Sequence, residues 1–99
     1  DLIVEDNIDI IKAKKLFSKG ISLFNVYAIC VSPKTNGLME IMSIENLLKE
    51  VNSYGNYGII ALVKGRNKAR KKSVRLIENW LVTHSDLTGF KSHYNQNSF

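Results

Sequence analysis

Ile59-Ile60-Ala61-Leu62-Val63-Lys64-Gly65-Arg66-Asn67-Lys68-Ala69-Arg70-Lys71-Lys72 is the stretch on which the fold turns. Its first five residues are apolar and rich in β-branched side chains. A run this short, bounded by turn residues, suits a strand covered on both faces, hence a central strand of a sheet with helices packed on it. Gly65 and Asn67 punctuate the junction that follows, and the pattern predicts a helix from Lys68 to about Thr83.

Upstream, Asn52 to Gly58 holds two glycines and two asparagines and ends a preceding helix. Ser43 is a suitable N-cap for that helix, and Ile44, Leu47, Leu48 and Val51 follow at i, i+3, i+4 and i+7, one apolar stripe. Further back, Leu23 to Val31 and Leu38 to Met42 read as strands joined by Pro33-Lys34-Thr35-Asn36-Gly37, a β-hairpin. A first helix is expected from Asp6 to Lys19, with Ile8, Ile11 and Phe17 apolar, Lys12, Lys15 and Lys19 on a wet face, and Gly20 as its stop.

The order is therefore α-β-β-α-β-α: an α/β or α+β domain with a small single sheet of about three strands and helices packed on it. A crossover through the second helix is expected to bring its flanking strands parallel. The core is expected to include Val26, Ile29, Ile41, Ile60 and Leu62, with Leu47, Leu48, Val51, Val74, Ile77 and Leu81 packed from helices. We read 1–84 as one compact basic domain. Residues 85–99 read as a polar, partly disordered tail in which Phe90, Tyr94 and Phe99 are available to dock locally.

Composition narrows the function classes. The 99 residues are 44% hydrophobic and 23% charged, ordinary for one globular domain. No run approaches the roughly 18 apolar residues of a membrane helix, and no secretory signal pattern opens the chain, so a soluble protein is expected. The single cysteine, Cys30, lies in the apolar segment Val26 to Val31. It reads as a buried, inert thiol, compatible with an intracellular, reducing compartment. From the opening at Asp1 we expect a processed product or a piece of a longer protein.

Charge is the strongest anomaly. The net charge is +5, yet Lys64, Arg66, Lys68, Arg70, Lys71, Lys72 and Arg75 supply seven of the 14 basic residues in a window without an acid. The remainder holds seven basic against nine acidic residues, a net of −2. A local excess of this kind is the footprint of a patch that meets a polyanion. A helical projection puts Lys68, Lys71, Lys72 and Arg75 on one side, with Ser73, Val74, Ile77, Trp80 and Leu81 opposite. Cations at a helix start oppose the macrodipole, so stability alone does not select them. The loop Lys64-Gly65-Arg66-Asn67 and the helix start are expected to hold phosphates, Arg66 and Arg70 as bidentate contacts and Lys68, Lys71 and Lys72 as point charges. Tyr54 and Tyr57, flanking Gly55, are candidates for stacking on bases, whereas Trp80 reads as core.

No catalytic or metal-binding set is complete, and no cofactor is implied. His84 and His93 are nine positions apart, outside the compact metal-ligand spacings, and His84 suits the carbonyls at a helix end. Glu40 and Glu78 are the isolated carboxylates a divergent nuclease would use with a metal.

Asn25-Val26-Tyr27-Ala28-Ile29 resembles the opening motif of GIY-YIG endonucleases in its tyrosine and final isoleucine. Glu40-Ile41-Met42 stands where that family has a second tyrosine-bearing motif, and the second helix lacks the family's arginine. Restriction-enzyme-like and junction-resolvase folds place an aspartate on one strand and Glu-x-Lys on the next. Asn25 and Glu40-Ile41-Met42 occupy those places here, which implies at most an inactive relative that binds without cutting. Neither resemblance covers enough of the chain to assign a family. The function expected from sequence is nucleic-acid binding through the phosphate backbone, DNA or RNA. The alternative is an assembly domain whose basic helix meets an acidic protein partner.

Overall fold

The structure, a computed structural model, describes residues 3–4, 8–21, 23–31, 37–54 and 58–94, over 51–54 the backbone alone. Four strands form one mixed sheet in the order β1-β4-β2-β3: β1 (Ile3–Val4), β2 (Val26–Val31), β3 (Glu40–Ser43) and β4 (Gly58–Lys64). The helices are α1 (Ile10–Ser18), α2 (Ile44–Tyr54), α3 (Arg66–Thr83) and α4 (Phe90–Tyr94).

β2 and β3 pair antiparallel with Ile29 opposite Ile41 and Cys30 opposite Glu40, the expected hairpin. Its turn at 33–36 lies outside the described residues. β4 pairs antiparallel with the other edge of β2, so the crossover through α2 does bring β3 and β4 parallel, with β2 between them. The strand absent from the sequence reading is β1, which adds a parallel edge with Ile3 opposite Ala61 and Val4 opposite Leu62. Two residues carry no periodicity; their placement depends on a pairing partner far along the chain.

β4 is buried from Gly58 to Val63 because helices cover both faces of the sheet. One core layer joins Val26, Ala28, Cys30, Ile59 and Leu62 to Ile44 and Leu47 of α2, with Ile10 and Phe17 of α1 packed against it. The other joins Ile29, Val31, Ile60, Ala61 and Val63 to Ala69 and Leu76 of α3 and Phe90 of α4. Ile60 and Ala61 are neighbours in sequence yet share a layer. The β2–β4 register skips Ile60, passing from Ile29–Ala61 to Cys30–Ile59, and the bulge resets the alternation.

Local chemistry sets the helix ends. Asp9 caps α1, its Oδ1 accepting from the backbone N–H groups of Ile11 and Lys12 at 3.1 Å each, so the helix begins at Ile10 rather than Asp6. Beyond it, the N–H groups of Gly20 and Ile21 donate to the carbonyls of Phe17 and Leu16, with Gly20 at φ +74°. Ser43 Oγ accepts from Asn46 N–H at 3.2 Å, the expected cap of α2. β2 starts at Val26, not Leu23, because Asn25 sits in the left-handed region at φ +57°.

The expected orientation of α3 is corrected. Val74 and Leu81 are 56% and 45% exposed, while Ala69 and Leu76 are buried and Trp80 half-buried. Gly65 alone separates β4 from α3, and Ala69 is small enough to let the helix settle closely on the sheet, so the inward stripe is Ala69-Leu76-Trp80. The remaining core expectations stand as follows: Val26, Ile29, Leu47, Ile60 and Leu62 are buried, Ile41, Leu48 and Ile77 half-buried, and the side chain of Val51 lies outside the description.

Trp80 organises the C-terminal segment. It stacks on His84 with ring centroids 3.6 Å apart, meets the edge of Phe90 at 5.4 Å, and donates its Nε1–H to the carbonyl of Asp86 at 2.9 Å. Phe90 is fully buried and Tyr94 packs against the same layer, the local docking anticipated for those two rings. Residues 85–94 are thereby tied to the sheet, and Phe99 lies outside the described residues.

Candidate nucleic-acid interface

The basic window divides among three places. Lys64 is the last residue of β4, Gly65 is the N-cap of α3, and Arg66 and Asn67 already belong to the helix, so the expected loop of four residues is reduced to Gly65. Gly65 has φ +87°, and no side chain caps the helix start. Its backbone N–H donates to the carbonyl of Asn25 at 2.9 Å.

Lys68, Lys71, Lys72 and Arg75 converge, as the projection predicts, on one groove of about 370 Å³. Its other wall is apolar: Ile3 and Val4 of β1 and Leu62 and Val63 of β4. No acidic side chain is among the described residues that line it. Lys68, Lys71 and Arg75 are exposed, whereas Lys72 is half-buried.

Arg66, Asn67 and Arg70 are exposed on α3, and at about 100° per residue Arg66 and Arg70 fall on the flank opposite the groove. The first turn of α3 holds no acid. Lys64 lines a second hollow of about 280 Å³, with Lys12 and Asp9 at the start of α1 and Phe24 in the turn before β2. The sequence alone places Lys12 on a wet helix face and Phe24 within a strand that opens at Leu23. The available signal was Asn25, a residue that tolerates the left-handed conformation and so marks a turn at Phe24 rather than a strand. Tyr57 and the side chain of Tyr54 lie outside the described residues.

The residues the nuclease analogies require are kept apart. Cys30 pairs with Glu40, so Asn25 lies beyond the opposite end of β2, about 16 Å away along the strand. Glu78 is exposed on α3. Among the described residues, no three of His, Cys, Asp and Glu are grouped so as to hold a metal ion. His84 acts as a helix terminator: its backbone N–H donates to the carbonyl of Trp80 at 3.0 Å, and its Nδ1 lies 3.0 Å from the same oxygen and 2.9 Å from Thr83 Oγ1. Cys30 is buried, and desolvation, with a smaller contribution from the Glu40 charge, pushes its thiol up to about 12. Such a thiol is neither a nucleophile nor a metal ligand at neutral pH.

No helix among the described residues is long and apolar enough to cross a membrane. Compared with known proteins, the chain matches no family model, no curated protein and no solved structure.

Proposed function

We propose that this domain binds nucleic acid through its phosphate backbone, with Lys68, Lys71, Lys72 and Arg75 as the principal contacts. One observation carries the reading: four cationic side chains from successive turns of α3 line a single groove with no acid among its described lining. Of these four, Lys68 stands in the first turn of α3, where a cation opposes the macrodipole by about 0.3–1 kcal/mol at low salt, so its placement there favours a role outside folding. A groove of closely spaced positive charge suits a ligand whose negative charges recur at short intervals. Arg75 offers a planar fork to a phosphate and the lysines offer point charges. Lys64, Gly65, Arg66, Asn67 and Arg70 complete the proposed surface around the helix start. The rival occupant is an acidic protein partner meeting the same groove.

The test is a titration of the chain with short single- and double-stranded DNA and RNA at several salt concentrations. Affinity should fall steeply with salt, and reversing Lys68, Lys71 and Arg75 to Glu should flatten the log–log slope by roughly 2 to 3. Reversing Lys14 and Lys15 of α1 together with Lys19, its C-cap, makes the same change in net charge and should weaken binding far less. Equal losses from the two triple variants would reject a local phosphate site. Absence of binding by the folded native chain at low salt would reject the nucleic-acid reading in favour of the acidic partner.

A further inference from the structure

The second hollow holds a residue that folding does not explain. Phe24 is 96% exposed, yet the turn that carries it is firmly anchored. Val26 is buried and Leu23 packs against the core layer beneath α1 and α2. Between them Asn25 takes φ +57° in the turn, and its carbonyl accepts the Gly65 N–H. The ring is thus held outward on a turn fixed from both sides and from the start of α3. A large aromatic displayed on a rigid support is how proteins prepare a stacking surface without a further ordering cost on binding.

The charges beside it identify the occupant. Lys12 and Lys64 line the same hollow as Phe24. Among the described residues that line it, the one carboxylate, Asp9, has its Oδ1 engaged by the N–H groups of Ile11 and Lys12. Cations around an exposed ring match a nucleotide, a π-face attached to phosphates, better than an apolar peptide.

Resting on the phosphate reading above, we propose that Phe24 is the platform on which an unpaired base of a single-stranded nucleic acid stacks, with Lys12 and Lys64 holding the adjoining phosphates. The bases of a duplex are already stacked on one another, so the domain prefers single strands.

The experiment compares Phe24→Ala, Phe24→Leu and Phe24→Trp with the native chain on three probes of equal length: an oligothymidylate, its abasic counterpart and a duplex. Phe24→Ala and Phe24→Leu should each lose about 5- to 150-fold in affinity for the oligothymidylate and change little on the other two probes. Phe24→Trp should retain native affinity. Because the side chain is exposed, all three variants fold, which circular dichroism verifies. Full activity of Phe24→Leu would mean a merely apolar contact, and equal losses on the oligothymidylate and abasic probes would mean that no base is read; either overturns the proposal. So does a native chain whose self-association, seen by light scattering, is lost in Phe24→Ala, since the ring would then belong to a contact between copies. If Phe24→Ala binds normally while the Lys68/Lys71/Arg75 reversal does not, the platform fails and the phosphate reading survives. If the native chain binds none of the probes, the phosphate reading itself fails.

Discussion

The backbone N–H of Gly65 donates to the carbonyl of Asn25 at 2.9 Å, joining two positions of positive φ: the turn before β2 and the single residue between β4 and α3. Through this bond the start of the basic helix and the turn bearing Phe24 form one rigid corner. A Cβ at Gly65 would meet nothing within 4 Å, so substitution there tests backbone strain alone. Gly65→Ala should cost about 1–3 kcal/mol, seen as a lower urea midpoint with an unchanged slope. An unchanged midpoint would show that φ +87° is not required.

The orientation of α3 has its own test. Leu76→Ala should destabilise by about 2–5 kcal/mol because it empties a buried site, whereas Val74→Ala, at an exposed position, should stay within about 0.5 kcal/mol. Equal costs in urea denaturation would return the helix to the orientation expected from its hydrophobic pattern.

Phe90 carries the claim that the segment after α3 is part of the domain. Its ring is fully buried beneath Trp80, and Phe90→Ala should cost about 3–5 kcal/mol, a large share of the roughly 5–15 kcal/mol of an ordinary domain. The same loss should follow from ending the chain after His84. If that shortened chain unfolds at the native denaturant concentration, residues 85–94 add nothing to the fold.

The Cys30 thiol makes a pH prediction. Its ordinary value is 9.0, and burial first, then the Glu40 charge, raises it to about 12 in the folded chain. Between those values the unfolded chain releases this proton while the folded chain keeps it, so stability is full below about pH 9 and falls as pH climbs toward 12. Cys30→Ala should therefore lose stability less steeply above pH 9 than the native chain. Native Cys30 should also resist iodoacetamide at pH 8 until denaturant is added; rapid alkylation of the folded protein would contradict the burial.

Some of this architecture is written locally. The cap at Ser43 and the stripe Ile44-Leu47-Leu48 specify α2 within a few residues, and the apolar run Ile59 to Val63 specifies a strand covered on both sides. Other features are not local. The hydrophobic pattern of α3 favours Val74 and Leu81, but the short Gly65 junction and the close fit of Ala69 rotate them toward solvent. The acid-free basic window gives no sign that Lys64 and Lys68 line different hollows.

The amino-acid sequence by itself determined the class of the domain, the hairpin, the parallel crossover through α2 and the local excess of positive charge, because each depends on periodicity, capping or composition within a short span. Only the tertiary structure decided the edge strand β1, the rotation of α3, the convergence of Lys68, Lys71, Lys72 and Arg75 on one groove, and the exposure of Phe24 beside Lys12 and Lys64. These depend on which surfaces meet across distant parts of the chain. Side chains at neighbouring positions diverge by about 100° on a helix and alternate faces on a strand, so proximity in sequence does not set proximity in space.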